Sequence, residues 1–325
     1  MIILSSDDVL SLLKMSDAIE VVSAAMVEVS NGHATMPLRS IMPLGEGNFM
    51  GMMPGSMHEP NCFGIKLVSL FPDNPKSGVS SHQGAVILFE SKHGAAIAMM
   101  NADLLTAIRT AAASGVATRM LAREASSRLT IIGTGEQARH HLDAMIAVRA
   151  IRDVVIAGRN MENAQKFVEL AQQKYSEISF SATTDFEASV QSADIICTVT
   201  ATDDPILFGA WIKPGTHLNV VGSSIPSKRE IDSELLIRSR LFVDYRISTL
   251  AQAGEVIMAI EKGEIDEAHI VAEIGEVIST SMPGRLNEDD ITLYRSLGVV
   301  AQDLATASFI VEQAKMRDMG TKVSL

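Results

Sequence analysis

Cysteine is scarce in this chain of 325 residues, which contains only Cys62 and Cys197. The two positions lie far apart, and no cluster of cysteine and histidine has the spacing of a zinc site. A disulfide framework is typical of short secreted chains with several cysteines, so the sequence argues against one. We therefore expect two buried, reduced thiols and no metal site.

Long apolar runs and basic runs are also missing. No uninterrupted apolar stretch reaches the roughly 18 residues of a membrane span. The first eight residues, MIILSSDD, lack the basic region of a signal peptide. With a net charge of −12 and no basic run, the chain is not expected to bind nucleic acid. These absences predict a cytoplasmic protein whose partners are small molecules, and neither membranes nor nucleic acids.

A glycine-rich turn lies in the middle of the chain, within the segment Arg128-Leu-Thr-Ile-Ile-Gly-Thr-Gly-Glu-Gln-Ala138. In the pattern G-x-G-x-x-[GA], Gly133 permits the tight turn and Gly135 lets the backbone approach a pyrophosphate. Ala138 lets the following helix pack closely on the strand. Glycine turns after strands are common, but the strand and helix patterns around this one favour a dinucleotide site at the helix N-terminus.

The end of the second strand of this unit indicates which dinucleotide binds. In the fingerprint, an acid about 20 residues after the glycines binds the ribose 2′-hydroxyl. Here the strand at 153–157 continues into Gly158-Arg159-Asn160, and the acid is missing. An arginine at this place can bind a 2′-phosphate. The sequence therefore predicts NADP(H) in preference to NAD(H).

The first part of the chain predicts helices and an antiparallel sheet. Residues 7–30 have apolar positions at helical spacing, with Ser6 and Ser16 as candidate N-caps and Asn31-Gly32 as a stop. A long helix rich in alanine is expected at 101–122. Between these helices, short extended pieces separated by turn residues predict antiparallel strands at 48–53, 63–71 and 83–89.

From Arg128 onward, predicted strands and helices alternate, which is typical of a doubly wound parallel sheet. Such sheets bind ligands at the carboxyl ends of their strands. Two late helices, at 252–261 and 298–316, flank an acidic stretch at 261–276 that we interpret as a solvated helix face. The strands after the glycine turn are expected at 153–157, 178–182, 194–200, 217–222 and 240–244.

Several short segments occur in the order seen in the ornithine cyclodeaminase and mu-crystallin family, and the resemblance covers nearly the whole chain. Longer local matches at 81–90 and 205–215 are more specific than a glycine motif, and they are similar to the ketimine reductase side of the family. The short segments are Gly64-Ile-Lys66, Ser81-His-Gln83, Arg109-Thr-Ala-Ala112, Cys197-Thr-Val-Thr200, Val221-Gly-Ser-Ser224 and Ser296-Leu-Gly298.

The resemblance implies an α/β fold that combines a Rossmann-type doubly wound parallel sheet with a discontinuous α+β domain for substrate binding and dimerisation. Residues 1–120 and 303–325 are expected to form the substrate-binding and dimerisation domain. Residues 121–302 are expected to form the NADP-binding Rossmann domain. A homodimer built through the substrate domains is also implied.

Functional residues follow from the same resemblance. Arg39, Lys66 and Arg109 correspond to cations that hold the substrate carboxylate, which a guanidinium can bind bidentately. Gly298 belongs to the same substrate site, and the candidate catalytic residues are Lys66, Arg109 and Ser224. The candidate cofactor-binding residues are Ser81, Arg109, Thr110, Gly133, Gly135, Glu136, Gln137, Ala138, Arg159, Asn160, Thr198, Val199, Thr200, Val221, Gly222, Lys228 and Leu297.

One departure from the family pattern concerns Ser224. Cyclodeaminases that convert ornithine to proline place an aspartate at this position. A serine cannot accept a proton at neutral pH as a carboxylate does, and the next acid along the chain is Glu230, beyond Pro226. The sequence therefore disfavours ornithine cyclisation.

The expected activity is NADPH-dependent reduction of a cyclic imino acid, Δ1-pyrroline-2-carboxylate or Δ1-piperideine-2-carboxylate, to L-proline or L-pipecolate. A protonated cyclic imine is already an electrophile, so the protein need only hold its carboxylate and place the C=N carbon about 3 to 3.5 Å from nicotinamide C4. The proton can come from solvent or from a hydroxyl such as that of Ser224. The alternatives are an amino-acid dehydrogenase of the alanine dehydrogenase type, an ornithine cyclodeaminase, and a non-enzymatic binding protein for small ligands.

Overall fold

The computed structural model describes residues 1–324, apart from the side chain of Pro75, so residue 325 of the predicted first domain lies outside the described residues. The chain divides into two compact units. Unit 1 comprises Met1–Arg109 and the chain from Gly298 onward, and unit 2 comprises Thr110–Leu297. Sequence analysis placed the boundaries after residues 120 and 302, and the functional roles of the two domains stay a prediction. Within the described part, no helix is both long enough and apolar enough to span a membrane.

The first part of the chain begins with a short strand and two helices and continues into the other strands of a sheet. The second helix ends at the predicted stop, where Asn31 is the C-cap and Gly32 has a φ of +74°. The elements are β1 Ile2–Leu4, α1 Ser6–Leu12, α2 Met15–Ser30, β2 Ala34–Thr35, β3 Ser40–Gly45, β4 Asn48–Met57, β5 Cys62–Leu70, β6 His82–Glu90, β7 Ala96–Asn101 and α3 Ala102–Leu121.

Strands and helices then alternate through unit 2. These elements are β8 Arg128–Ile132, α4 Glu136–Val148, β9 Asp153–Ala157, α5 Met161–Lys174, β10 Ser179–Thr183, α6 Phe186–Val190, β11 Ile195–Thr198, β12 His217–Val220, α7 Ser233–Arg238, β13 Arg240–Val243, α8 Arg246–Gln252, α9 Gly254–Glu261, β14 Ile270–Glu273, α10 Ile274–Ile278 and β15 Thr292–Arg295.

The chain returns to unit 1 through α11 Val300–Arg317 and β16 Thr321–Lys322. The sheet of this unit runs in the order β16-β1-β7-β6-β5-β4-β2, and β3 pairs with β4. Its long central strands are antiparallel, as predicted. A Cβ atom on Gly64 of β5 would lie 2.8 Å from Leu304 Cδ2 of α11. This glycine therefore lets the helix lie directly on the sheet.

The N-terminal helices begin at other residues than predicted. Ser5 caps α1, because its Oγ accepts a hydrogen bond from Asp8 N at 3.2 Å while Asp8 Oδ2 accepts one from Ser5 N at 2.9 Å. This reciprocal pair is a capping box. Lys14 precedes α2 in an extended conformation and provides no side-chain cap. The predicted caps Ser6 and Ser16 are therefore wrong.

The sheet of unit 2 confirms the predicted fold class. Its strands run in the order β10-β9-β8-β11-β12-β15-β13-β14, and every pairing is parallel. From β8 the sheet is built outward in both directions, so the strand order reverses between β8 and β11. In sheets of this kind, ligands bind beside such a reversal, outside the carboxyl ends of the strands.

Two strands of this sheet were not predicted. β14 lies within the acidic stretch at 261–276 and is mostly buried, so this stretch is not one helix face. The acids before β14 are solvated, as predicted: Glu261, Glu264, Asp266 and Glu267 are exposed. β15 has the sequence Thr-Leu-Tyr-Arg, and all of its residues are buried. Its polar residues concealed it, because a buried parallel strand is recognised by a continuous apolar run.

Candidate active site

The glycine turn of unit 2 has the geometry that its sequence predicts. Gly133 has a φ of +135°, and a Cβ atom on it would lie 2.8 Å from Val199 Cγ2 and 2.9 Å from Val199 O. Glycine is therefore required here both for backbone conformation and for space. Gly135 is the N-cap of α4 and supplies no side-chain hydrogen bond. The N–H groups of the first turn, at Glu136 and Gln137, remain available for an anion.

A cavity of about 290 Å³ opens beside this turn. It lies at the reversal of strand order, because its walls come from the loops after β8, β9 and β11. Predicted cofactor residues from three separate segments therefore meet here. The lining residues are Gly133, Thr134, Gly135, Ala157, Gly158, Arg159, Phe186, Val199, Thr200, Ala201, Thr202 and Ile206.

Arg159 and Asn160 follow β9 at the rim of this cavity. Arg159 is exposed and lines the cavity. Asn160 caps α5, because its Oδ1 accepts a hydrogen bond from Asn163 N at 3.1 Å. The turn is tight, since a Cβ atom on Gly158 would lie 2.8 Å from Thr134 Cγ2. A guanidinium at the end of β9 is thus presented to a ligand on the glycine turn.

The loops after β11 and β12 are joined by a buried carboxylate that sequence analysis did not assign to the site. Glu230 is only 1% exposed. Its Oε2 accepts hydrogen bonds from Thr198 Oγ1 at 2.8 Å and from Gly222 N at 2.6 Å. Its Oε1 accepts from Thr200 N at 2.8 Å and from Thr200 Oγ1 at 2.7 Å. Thr198, a predicted cofactor residue, is fully buried and directs its hydroxyl to Glu230.

Other predicted residues of unit 2 have the following surroundings. Leu297 N donates to Asp244 Oδ2 at 2.7 Å, and Lys228 Nζ forms an ion pair with Asp203 Oδ1 at 2.6 Å. Ser224 is half-buried. Val221 is half-buried, and Thr110 and Ala138 are buried. In unit 1, the Oγ of predicted Ser81 lies 3.0 Å from His82 Nδ1.

Unit 1 brings together the cations predicted to hold a substrate carboxylate. Lys66 on β5 and Arg109 on α3 are 3% and 4% exposed. Both contact Asp303 of α11, which is fully buried. Lys66 Nζ lies 3.0 Å from Asp303 Oδ1 and 2.9 Å from Oδ2. Arg109 donates from Nε to Asp303 Oδ1 at 2.9 Å and from Nη1 to Gln302 Oε1 at 2.7 Å.

Arg39 and Gly298 complete this cluster. Arg39 donates from Nη2 to Gly298 O at 3.0 Å. Gly298 has a φ of +77°, and a Cβ atom on it would lie 2.3 Å from Arg109 Nη1. The position therefore needs glycine, because any side chain would collide with the guanidinium. Within unit 1, Arg39, Lys66, Arg109 and Gly298 therefore lie together, and their role in binding substrate stays a prediction.

Burial and like charges change the proton affinity of Lys66. Desolvation by burial and the neighbouring charge of Arg109 lower its pKa from 10.5 to about 7, with a smaller lowering by Arg39. Asp303 acts in the opposite direction and raises it. Asp303 was missed as a site residue, although it is the one charged residue in the run VAQDLATA at 300–307, which was a visible signal.

The glycine turn at the strand reversal defines a Rossmann-type dinucleotide-binding protein. A family model described as the ornithine cyclodeaminase/mu-crystallin family matches residues 1–318, and the chain belongs to this family. Ketimine reductase mu-crystallin of Mus musculus is 34% identical over 314 residues, which cover 95% of this chain and 96% of the relative.

Solved structures extend the comparison. Δ1-pyrroline-2-carboxylate reductase of Thermococcus litoralis, solved with NADH and L-proline, is 37% identical with a TM-score of 0.96, covering 99% of this chain and all of that one. An archaeal alanine dehydrogenase dimer with bound NAD is 32% identical with a TM-score of 0.94, covering 100% of this chain and 99% of that one. The protein is therefore an NAD(P)H-dependent oxidoreductase of this family.

Proposed function

We propose that the protein reduces cyclic imino acids, Δ1-pyrroline-2-carboxylate or Δ1-piperideine-2-carboxylate, to L-proline or L-pipecolate with NADPH. The observation that carries this proposal is a pair of buried cations, Lys66 and Arg109, on the carboxylate of Asp303, with the half-buried Arg39 nearby. Lys66 and Arg109 share this one carboxylate, and the charge of Arg39 is close enough to lower the pKa of Lys66. Such a concentration of positive charge favours an anionic ligand. The similarity to two imine reductases supports the same substrate class.

The contacts of Arg109 suit it to orient a carboxylate. Asp303 and Gln302 hold its Nε and Nη1, so the plane of the guanidinium is fixed before substrate binds. Its remaining donors, on Nη2, then have a defined direction. A preorganised donor of this kind loses little entropy on binding.

Lys66 has two properties that the reaction can use. Its ammonium group adds charge for the carboxylate, and because its pKa is lowered to about 7, its Nζ can release a proton near neutral pH. When bound, the nicotinamide supplies a hydride to the imine carbon. The residues of this chain then need only bind the substrate, orient it and supply a proton.

The alternative activities are distinguished by the substrates that the protein would turn over. An amino-acid dehydrogenase would reductively aminate pyruvate, and the similarity to the alanine dehydrogenase gives this alternative its support. An ornithine cyclodeaminase would release ammonia without net cofactor turnover, but Ser224 stands where that activity needs an acid. The nearby Glu230 carboxylate is occupied by four hydrogen bonds. A non-enzymatic binding protein would turn over none of these substrates.

The test is an NADPH-oxidation screen over cyclic imino acids, open-chain keto acids with amines, and ornithine. We expect turnover of the cyclic imines. Lys66→Met should lower kcat/KM at least tenfold, because it removes a charged partner from a desolvated carboxylate. Lys174→Met is the control, since Lys174 pairs with Asp143 on the surface of unit 2. Equal efficiency of the Lys66 variant and wild type would refute the proposed carboxylate site.

The preference for NADPH over NADH is proposed from Arg159. A charge-assisted contact with the 2′-phosphate contributes roughly 1.5 to 3 kcal/mol, or about ten- to a hundredfold in affinity. Arg159→Ala should remove most of this preference, whereas Arg152→Ala should keep it, because Arg152 precedes β9 and Arg159 follows it. The ratio of kcat/KM for the two cofactors is the measurement. The test is necessary because one relative was solved with NADH. Equal kcat/KM of the wild-type protein with NADPH and with NADH would contradict the proposal.

The protein is further proposed to act as a homodimer through unit 1. All residues of β3 are exposed, including Ile41, Met42 and Leu44 at 54%, 42% and 47%. Met42 and Leu44 lie on one face of this strand and Ile41 on the other. An exposed strand with apolar side chains on both faces is typical of an interface between subunits. The alanine dehydrogenase relative, solved as a dimer, supports this proposal.

A further inference from the structure

We propose that Glu230 is a positioning residue that holds two loops of the nicotinamide-cofactor site in their binding conformation. This inference rests on the proposal that the cavity of unit 2 takes the dinucleotide. Glu230 does not line that cavity. Glu230 acts through Thr200, which lines the cavity, and through Gly222, which was predicted to contact the cofactor.

The carboxylate of Glu230 links the loops after β11 and β12. Thr198 is the last residue of β11 and Thr200 belongs to the loop that follows it, whereas Gly222 belongs to the loop after β12. The two loops touch directly, because a Cβ atom on Gly222 would lie 2.0 Å from Thr200 O and 2.4 Å from Glu230 Oε1. Besides one backbone hydrogen bond between them, from Val221 N to Thr198 O at 3.0 Å, the two segments are thus joined by four hydrogen bonds to a single buried side chain.

The backbone of Glu230 is itself anchored to a third segment of the cavity. Its carbonyl oxygen accepts hydrogen bonds from Ile206 N at 2.9 Å and Leu207 N at 3.1 Å, and Ile206 lines the cavity. Leu207 also forms a parallel bridge with Ile231. The side chain thus extends from a fixed base to the two loops that it joins.

The effect of this linkage reaches the glycine turn through Val199. Residues 198 and 200 are both held by Glu230, so the peptide carrying Val199 has little freedom. Val199 Cγ2 and O form the surface that would collide with a Cβ atom on Gly133. Glu230 consequently fixes the wall that faces the phosphate-binding turn.

An amide cannot replace this carboxylate. Each oxygen of Glu230 accepts one hydrogen bond from a backbone N–H, at Thr200 and at Gly222, and a backbone N–H can only donate. In Glu230→Gln, the NH2 group would face one of these partly buried donors, which would lose its acceptor. The shape of the side chain would be kept, so the change tests hydrogen bonding rather than packing.

The experiment measures the Kd of NADPH for the substrate-free full-length protein by calorimetry. We expect Glu230→Gln to weaken binding at least tenfold, because a partly buried backbone donor loses its acceptor and the two segments lose a link. Asp194→Asn is the matched control. Asp194 also accepts hydrogen bonds from two backbone N–H groups, of Ser127 and Arg128, but it precedes β11 at the opposite ends of the strands. This variant should keep its cofactor affinity within about twofold.

A second pair of variants tests the same inference if Glu230→Gln does not fold. Thr198 is fully buried, so a change there affects the cofactor only through Glu230. Thr198→Val removes the hydroxyl and should weaken NADPH binding about threefold or more, whereas Thr198→Ser keeps the hydroxyl and should restore affinity. Wild-type affinity in a folded Glu230→Gln protein, or equal affinities of the two Thr198 variants, would overturn the inference. If the wild-type protein binds neither NADPH nor NADH, the proposed cofactor site is wrong, and the inference about Glu230 falls with it.

Discussion

Lys66 has a pKa well below the ordinary value of a lysine, because it is buried beside Arg109. In the unfolded chain it keeps its proton up to about pH 10.5, whereas in the folded protein its pKa is about 7. Between these values the unfolded state binds more protons, so the contribution of Lys66 to the free energy of unfolding rises with pH. Below pH 7, Lys66 is protonated in both the folded and the unfolded protein. The folded protein then bears the full free-energy cost of burying this charge.

This shift gives a prediction for stability. The free energy of unfolding of wild type, minus that of Lys66→Met, should increase between pH 7 and pH 10, by up to about 1.4 kcal/mol per pH unit. Other titrating groups are common to both proteins and cancel in the difference. Urea denaturation at pH 6, 7, 8, 9 and 10 provides the measurement. A difference that stays constant above pH 7 would show that Lys66 keeps its ordinary pKa.

The residues of the site were recognised to very different degrees from the sequence. Spacing and chemistry predicted Gly133 and Arg159, while Lys66 and Arg109 required the resemblance to a family. Asp303 and Glu230 were not assigned, because their roles consist of contacts made in the folded chain. Asp303 is 237 residues from Lys66, and no local pattern encodes such a pairing.

At the scale of single elements, β3 carries a prediction about assembly. Ile41→Lys places a charge in the apolar surface of this strand and should shift the protein toward monomer, because burying an unpaired charge in an interface is costly. Ile237→Lys is the control, since Ile237 on α7 is similarly exposed, at 47%. Light scattering after size exclusion gives the mass relative to the 34.9 kDa chain. A dimer that tolerates Ile41→Lys would place the interface elsewhere.

Elements with strong hydrophobic patterns were predicted closely. The strand at 153–157 is identical to β9, and the helix at 101–122 differs from α3 by one residue at each end. The predictions of helices and strands were less accurate where the hydrophobic pattern does not follow the secondary structure. One periodic stretch forms both α1 and α2, since apolar spacing continues across a short extended link. The all-buried β15 is half polar, so its tertiary surroundings override its composition.

At the scale of the whole molecule, the fold class could be predicted because a doubly wound sheet repeats a local strand-helix unit. The antiparallel sheet of unit 1 was predicted less completely. Its outer strands β1 and β16 come from opposite ends of the described chain and pair with each other. Pairings between distant segments leave little signal in either segment alone.

The discontinuity of unit 1 has a consequence for the order of events on the ribosome. Lys66 and Arg109 are translated before unit 2, whereas Asp303 is translated after it. At typical elongation rates, Thr110–Leu297 takes roughly 10 to 40 s to synthesise. During that interval, both cations lack the carboxylate that they share in the folded protein, and β5 lacks the covering helix α11. The sheet that is translated first is therefore the last part of the protein to complete its core.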